Sequence, residues 1–536
     1  MAEDGGKSSF DLEQSAAGGH NPWLIAIVVS IATFMEVLDT TIANVALRYI
    51  AGSLAASQEE STWVVTSYLV ANAVVLSISG WLARTLGRKR FYMICVAVFT
   101  ISSLLCGFAW NLQSLLFFRV LQGLGGGGMA PCSQSILADS FPPEKRGQAF
   151  GVFGIAVVVA PVVGPTLGGW LTDTYSWHWC FLINGPVGIL SLALVAYLIS
   201  EPAKAEKERL ERLKRGINFD FVGFLLIALG LGCLEVVLDK GQEDDWFGSS
   251  FILVFAVIAA CSLIALVPWE LSRREPIVEI RLLFRRQFGM CFVVMLGTGA
   301  ILISTIQFMP QLLQESFGYT ALLAGLTVSP GGLVTMAMMP VGGRLTGFIQ
   351  PKYLIMFGAA LIAYSMWHLT GLSPDINFSY AVWARVILAA GLPFIFIPIT
   401  TASYDGVPPD KTDQASALIN VARNQGGSFG VALAQTVLAR REQFHQSRLS
   451  EHTIPSSTNY QAAMQHLTEL FMAQGAGKAG ATQEATAWIG QTIAAQATFL
   501  AYIDVFWVLA LLAAVMIPAA MLIRPVKLGS GGGPMH

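Results

Sequence analysis

Charged side chains are scarce in this chain. Of its 536 residues only 12% are Asp, Glu, Lys or Arg, whereas 54% are hydrophobic and the mean hydropathy is +0.60. A soluble domain carries about 25% charged residues, so half of the usual solvated surface is missing. This deficit excludes an ordinary soluble protein and indicates a polytopic membrane protein. The net charge of −2 comes without a basic stripe, so nucleic acid is not an expected partner.

Several signatures of chemistry are also missing. The seven cysteines lie in or beside apolar runs without metal-type pairs, and the seven histidines show no ligand spacing. The glycine run 125–128 lacks the Gly-Lys-Ser/Thr ending that cradles phosphate. We therefore expect no metal, no cofactor, no ATP hydrolysis and no enzyme activity, so an ion gradient must supply any work. The first 22 residues lack a basic segment and a cleavage site, and no cleaved signal peptide is predicted.

Long apolar runs are abundant, and each is long enough to cross a bilayer. The runs fall near 24–47, 61–83, 91–110, 113–138, 147–172, 179–199, 220–238, 249–269, 288–310, 320–342, 353–371, 380–402, 413–438 and 499–523. Lys and Arg concentrate in every second loop, for example at Arg88, Lys145 and Lys204–Arg215. The positive-inside rule then places both termini in the cytoplasm. The sequence thus predicts an all-α polytopic membrane protein with fourteen transmembrane helices.

The spans group into two halves. The predicted segments are a tail 1–22, a six-helix bundle 23–199, linkers with two inserted helices 200–286, a second six-helix bundle 287–524 that includes an outer loop 440–498, and a tail 525–536. A degenerate copy of the run Gly80–Lys89 occurs at Gly343–Gly347, at the equivalent place in the second half, which indicates duplication. Helical spacing of apolar residues over Tyr460–Phe471 predicts an amphipathic helix that either covers the outer face of the protein or binds a partner.

Two carboxylates lie deep inside the first apolar run. A charge near the middle of a membrane helix costs roughly 2.5–3.5 kcal/mol on insertion scales, so Glu36 and Asp39 are functional candidates. Three residues of spacing put them roughly 60° apart on one helix face. Two carboxylates in one poorly hydrated cavity cannot both ionise cheaply, so one of them is expected to bind and release a proton. The alternative is a buried acid satisfied by a basic partner.

Arg119 lies inside the fourth run, three residues before Gln122. A buried arginine is too costly to leave unpaired and cannot lose its proton, so it should contact a carboxylate, backbone carbonyls or water. A partnership with Asp39 that changes on protonation would alter the packing of the first and fourth helices. A static ion pair that holds the fold is the alternative.

The fifth run has the composition of a bent, closely packed helix. Small residues one turn apart at 160, 164 and 168 form a stripe that lets helices approach, and Pro161 and Pro165 break backbone hydrogen bonds. Such a helix suits a gate, although a static kink would have the same sequence. Further polar residues within the spans could line a pathway, namely Asn44, Gln122, Glu235, Arg385, Arg423, Asn424 and Asp504.

These motifs together resemble the major facilitator superfamily, in particular its fourteen-helix drug:proton antiporters. The similarity covers essentially the whole chain. The residues that carry it are Gly80, Gly87, Arg88 and Lys89 between helices two and three, Arg119–Gly123 in helix four, Gly154, Gly164, Pro165, Gly168 and Gly169 in helix five, Leu38–Ala46 in helix one, and Trp63–Tyr68 in helix two.

The resemblance implies two six-helix bundles and export of hydrophobic toxic compounds, including antibiotics, in exchange for protons. Asp39 would be the protonatable residue, Arg119 its coupling partner, and the helix-five glycines part of the conformational gate. It also implies a bacterial inner-membrane location, a periplasmic adaptor of the EmrA type and an outer-membrane channel of the TolC type. A dedicated exporter of one endogenous metabolite, such as a fatty acid or siderophore-like compound, is the alternative.

Three positions depart from the family pattern. Arg84 replaces the acid that is usual in the helix 2–3 motif, which argues against a charge relay through that position. Arg48 stands where the helix-one motif usually ends in proline. Glu36 lies outside the motif, so its assignment depends on the physical argument alone.

Overall fold

The computed structural model describes residues 21–199, 201, 206, 209–210, 219–273, 275–373, 378–408, 411–451 and 453–526. Most of the two predicted tails and of the Lys204–Arg215 stretch lies outside these residues. Within them the chain is helical and contains no β-strand. The helices are α1 (Pro22–Ser53), α2 (Gln58–Leu86), α3 (Arg88–Gly107), α4 (Leu112–Gly126), α5 (Met129–Ser140), α6 (Pro143–Thr174), α7 (Trp179–Leu182), α8 (Asn184–Leu198), α9 (Phe221–Lys240), α10 (Ser250–Ser272), α11 (Arg286–Phe317), α12 (Ala321–Leu345), α13 (Pro351–Leu369), α14 (Phe378–Gly391), α15 (Pro393–Ser403), α16 (Thr412–Ser450), α17 (Thr458–Ala473) and α18 (Lys478–Met521).

The membrane-spanning prediction is confirmed. Eleven of the described helical segments are long and apolar enough to cross a bilayer. Three further segments, α4–α5, α13 and α16, bring the count into line with the fourteen predicted spans. We refer to the side of the bundle at which α1 begins as the near side and to the opposite side as the far side.

Local capping explains where several helices begin. Asn21 Oδ1 accepts a hydrogen bond from Trp23 N at 2.9 Å, and Pro22 occupies the first helical position, where its missing N–H costs nothing. At the start of α2, Ser57 Oγ accepts from Glu60 N at 3.1 Å while Glu60 Oε2 accepts from Ser57 N at 2.8 Å. This capping box satisfies two backbone donors that the first turn leaves free.

Two spans predicted as continuous are broken in the middle. The run 113–138 forms α4 and α5, which meet at Gly127 and Gly128, and the run 380–402 forms α14 and α15, which meet at Leu392. A Cβ on Gly127 would lie 2.5 Å from Asn72 O and one on Gly128 would lie 2.5 Å from Cys95 Sγ, so the glycines let this span lie directly against α2 and α3. Because the break recurs at the equivalent span of each half, it supports the predicted duplication.

The inserted pair of helices is packed against the two halves. α9 and α10 lie against each other, and α9 also contacts α2 of the N-terminal half and α16 of the C-terminal half. The line along which α2 and α16 face each other is here named the α2–α16 seam. On the other side of the molecule, α6 and α12 form the second contact between the halves.

The last two spans extend well beyond the predicted apolar runs. α16 continues to Ser450, and α18 already begins at Lys478, so both protrude on the far side. The predicted amphipathic helix is confirmed as α17, which packs along α18 and has no fully buried residue. The predicted outer loop 440–498 is therefore mostly helical.

Candidate functional site

Asp39 is the centre of a buried polar cluster inside the N-terminal half. Its side chain is 1% exposed and lies near the middle of α1. Asp39 Oδ2 accepts from Arg119 Nη1 at 2.6 Å. Asp39 Oδ1 accepts from Gln122 Nε2 at 2.9 Å and from Asn184 Nδ2 at 2.7 Å. Three N–H donors converge on two oxygens, which is an arrangement suited to a charged carboxylate.

Arg119 has further contacts besides Asp39. Arg119 Nε donates to Val64 O at 2.9 Å, and Nη1 also donates to Gln122 Oε1 at 2.8 Å. The guanidinium carbon lies 4.4 Å from the centre of the Tyr68 ring, a cation–π distance. Removing one member of such a buried pair typically costs about 3–5 kcal/mol, because the other charge is left uncompensated.

Glu36 faces a different set of neighbours. Glu36 Oε1 accepts from Asn72 Nδ2 at 3.3 Å, and Asn72 Oδ1 accepts from Asn424 Nδ2 at 3.4 Å. Arg423, beside Asn424 on α16, attracts Glu36 electrostatically. Glu36 Oε2 has no hydrogen-bond partner among the described residues. Glu36 therefore points to the α2–α16 seam, where it helps to connect the two halves.

The two carboxylates bind different helices but are connected through α2. Asp39 binds α4 and α8, while Glu36 binds Asn72 of α2. Asn72 Nδ2 also donates to Tyr68 OH at 3.4 Å, and the Tyr68 ring lies against Arg119. The expectation of one common cavity stays a prediction. About 60° of helix rotation separates the two residues, and this is enough for each to contact a different helix. Asn184 was not identified from the sequence, although an asparagine inside the run 179–199 is itself a polar residue in a membrane span.

The cavity-lining candidates are distributed over three environments. Arg423 and Asn424 are half-buried at the seam between the halves. Gln122 is fully buried beside Asp39 instead of lining an open pathway. Asn44, one turn beyond the Thr40–Thr41 pair, is exposed.

The helix-five glycines fit α6 against its neighbours. A Cβ on Gly164 would lie 2.0 Å from Thr41 Oγ1, and one on Gly168 would lie 3.3 Å from Ile42 Cα. A Cβ on Gly154 would contact Met339 of α12 at 2.8 Å, whereas a Cβ on Gly169 would meet nothing within 4 Å. Pro161 and Pro165 both lie within α6. The motif therefore joins α6 to α1, two residues from Asp39, and to the opposite half.

The helix 2–3 motif lies where the halves meet on the near side. A Cβ on Gly80 would be 2.8 Å from Gln414 Cα, so only glycine permits this approach of α2 to α16. Gly87 separates α2 from α3 with a φ of +93°, a conformation that favours glycine. Arg88 pairs with Asp139 and, at 2.7 Å, with Asp413 Oδ1 of the other half. Lys89 Nζ donates to Ala196 O at 2.8 Å.

Further contacts close the near side. Phe150 stacks on Tyr404, and Phe153 stacks on Phe396, in both cases across the two halves. Asn420 Nδ2 of α16 donates to Gln134 Oε1 of α5 at 2.7 Å. Together with the Arg88–Asp413 pair, these contacts seal the near end of the space between the halves.

The similarity to known proteins agrees with this architecture. The family model of the Major Facilitator Superfamily matches residues 29–431, which confirms the resemblance found from the motifs. Among curated relatives, the multidrug export protein EmrB of Escherichia coli K12 is 35% identical over 531 residues, which is 98% of this chain and 100% of that one. The fatty acid resistance protein FarB of Neisseria gonorrhoeae is 34% identical and covers 95% of this chain and 97% of its own length.

Solved structures share the fold at low sequence identity. A double-tryptophan variant of XylE superimposes with a TM-score of 0.60 at 13% identity, over 95% of this chain and 97% of that one. The human organic anion transporter MFSD10 gives a TM-score of 0.55 at 13% identity, over 92% of this chain and 99% of that one. At this identity the likeness concerns the fold alone.

Gly164→Ala should impair transport, because its methyl group would collide with Thr41 at the α1–α6 contact. Overpacking of this kind costs typically about 1–3 kcal/mol, and here it would force apart two helices next to Asp39. Gly169→Ala is the matched control, since it has open space around it. The measurement is substrate flux per folded molecule in liposomes. Equal flux in the two variants would show that the close approach at Gly164 does not matter for transport.

Proposed function

This chain belongs to the major facilitator superfamily, and we propose that it is a multidrug exporter driven by proton exchange. The observation that carries the proposal is the buried Asp39–Arg119 pair, because a membrane-buried carboxylate beside a fixed cation can change its charge without unfolding the helix. Relatives that match nearly the full length are named as multidrug export proteins, which supports drugs as the substrates.

Protonation of Asp39 is the coupling step in this proposal. It removes the negative charge that faces Arg119, and arginine cannot lose its own proton in response. The guanidinium then depends on the Val64 carbonyl and Gln122, and the attraction between α1 and α4 weakens. No metal or organic cofactor is required, since the proton gradient supplies the work.

The change of charge at Asp39 occurs close to the glycines of α6 that form the proposed gate. Thr41 lies two residues after Asp39 and packs directly against Gly164 of α6. α6 in turn contacts α12 at the near side, where a Cβ on Gly147 would lie 2.7 Å from Gly343 O. A shift of α1 against α6 therefore acts on a helix that joins the halves, as alternating access requires.

The space between the halves is the proposed substrate pathway. Glu36 and Asn72 of one half meet Arg423 and Asn424 of the other there, amid apolar helices. Sites that take drug-sized molecules are mostly apolar with a few polar groups, which suits hydrophobic toxic compounds. The cation Arg423 and the relative named for fatty acid resistance support the second candidate, a dedicated exporter of one acidic metabolite.

We propose that the protein lies in the bacterial inner membrane with both termini in the cytoplasm. The near side would be cytoplasmic and its closure would bar entry from that compartment. We also propose the periplasmic adaptor of the EmrA type and the outer-membrane channel of the TolC type. Leu470 and Met472 are exposed on α17, on the far side, and give an adaptor an apolar surface to bind.

Asp39→Asn should abolish drug movement driven by a pH gradient. Asparagine keeps the shape of the side chain but cannot carry a proton. The test is reconstitution into liposomes with an imposed pH gradient, a fluorescent drug and a pH dye inside. Wild type should move drug and protons together, and Asp39→Asn should fall to the level of empty liposomes. Glu469→Gln on exposed α17 should behave as wild type. Unchanged exchange in Asp39→Asn would overturn the coupling assignment.

The orientation can be tested by cysteine labelling in intact cells. Glu243 and Arg90 are both exposed, on the far and near sides respectively. A membrane-impermeant maleimide with access to the periplasm should label Glu243→Cys at once and Arg90→Cys only after the inner membrane is opened. The reverse pattern would invert the topology.

The adaptor proposal predicts a separation between cell resistance and purified transport. Leu470→Asp combined with Met472→Asp should reduce drug resistance of cells that contain the adaptor and lower its co-purification. Exchange in liposomes should not change, because α17 is outside the membrane-spanning bundle. Thr482→Asp, an exposed position on α18, is the control. Normal resistance of the double variant would exclude this surface as the binding site.

A further inference from the structure

Glu235 is a buried carboxylate that the Asp39 site does not use. It lies in the inserted helix α9, is 2% exposed, and stands five residues before the far end of that helix. At 1.5 Å per residue this is about 7–8 Å inside the helix end. A carboxylate at such a position in a membrane span is costly, so its surroundings indicate what it does.

The direct partners of Glu235 are neutral. Ser428 Oγ donates to Oε1 at 2.5 Å, and Gln425 Nε2 donates to Oε2 at 2.9 Å, both from α16. No cation is among the described neighbours that act on its charge. Gln425 Oε1 is buried without a hydrogen-bond partner among the described residues. A rotated Gln425 amide could thus accept from a protonated Glu235, so the site suits both the charged and the neutral form.

Among the described charges on α9 and the surrounding helices, Asp239 repels Glu235 and none forms an ion pair with it. On α9 itself, Asp239 lies one turn away and bonds Thr66, while Lys240 binds Glu243 at 2.7 Å. Arg423 of α16 is attracted to Glu36. The remaining charged residues of α2 and α10 stand at helix ends, namely Glu59, Glu60, Arg84 and Glu270.

α9 is attached to both halves close to Glu235. Asp239 and Lys240 are hydrogen-bonded to Thr66 and Thr62 of α2, in the N-terminal half. Glu235 provides the polar attachment to α16, in the C-terminal half. The inserted helix therefore bridges the α2–α16 seam, and the hydrogen bonds of Glu235 are the part of this bridge that a proton would alter.

We propose that Glu235 is a second proton-binding site, which loads and releases one proton in each transport cycle in addition to the proton on Asp39. This inference rests on the proposed proton-driven export and deepens it. The charged form accepts both α16 donors and holds the seam. The protonated form gives up part of that attraction and lets α16 move away from α9.

The assignment changes the electrical balance of transport. Exchange of two protons for one monovalent cation moves one net charge, whereas exchange of one proton moves none. Wild type in liposomes should therefore accumulate ethidium, a fluorescent monovalent cation, under a membrane potential without a pH gradient. Glu235→Gln should lose this potential-driven movement but keep movement driven by a pH gradient. Glu235→Asp should retain both, and Asp244→Asn, in the exposed loop after α9, should match wild type.

A second measurement does not depend on the transported drug. Infrared difference spectra of the purified protein at acid and alkaline pH show the C=O stretching band of protonated carboxyl groups. Wild type and Asp39→Asn should show the Glu235 band, and Glu235→Gln should lack it. An unchanged band in Glu235→Gln, or ethidium movement in that variant that still responds to potential, would overturn the proposal. If wild type shows no pH-driven ethidium movement, the proposed function is contradicted. The infrared spectra would still test whether Glu235 binds a proton.

Discussion

This structure depends on one requirement: a charge inside the apolar bilayer must have partners of its own within the protein. Asp39 cannot be solvated by lipid, so three helices supply what water would have supplied. α4 contributes Arg119 and Gln122, α8 contributes Asn184, and α2 offers the Val64 carbonyl to the arginine. The packing of these helices around α1 is thus specified by a polar cluster as much as by apolar contacts. A proton that neutralises Asp39 acts at the point on which this packing depends.

Much of the fold could be predicted from the sequence, because membrane spans leave a strong signal in hydropathy and loop charge. The pairing of Asp39 with Arg119 could also be predicted from the sequence, since each charge is too costly to leave unpaired in lipid. The contacts of Glu36 could not be predicted from the sequence. A rotation of about 60° around α1 decides whether a side chain meets the bundle interior or the seam, and hydropathy does not determine helix rotation.

Breaks within helices were missed for a related reason. The glycines at 125–128 look like flexible membrane-helix residues in sequence, but Gly126 and Gly127 admit α2 and Gly125 and Gly128 admit α3. Likewise, α16 and α18 are longer than their apolar runs. Hydropathy indicates where the lipid begins, but a helix can continue into water because its backbone hydrogen bonds are internal. Length beyond the membrane therefore requires tertiary information.

The two halves repeat in shape but differ in charge. Arg119 precedes the break between α4 and α5, and Arg385 precedes the break between α14 and α15. Arg385 is as deeply buried, yet it has no ion-pair partner among the described residues, and α11 carries no carboxylate before Glu315. Among the described residues, the equivalent spans of both halves therefore carry a buried arginine, while an ion-pair partner for it is present in the first half alone.

α16 also has a mechanical consequence. It forms one wall of the α2–α16 seam and continues without interruption to Ser450 on the far side. From Asn420 to Ser450 the helix is about 45 Å long at 1.5 Å per residue, so a tilt of about 10° would displace its tip by about 8 Å. The helix is thus a lever whose short movements within the membrane become large ones outside it. Any protein attached to the far-side helices would experience each transport cycle as a displacement.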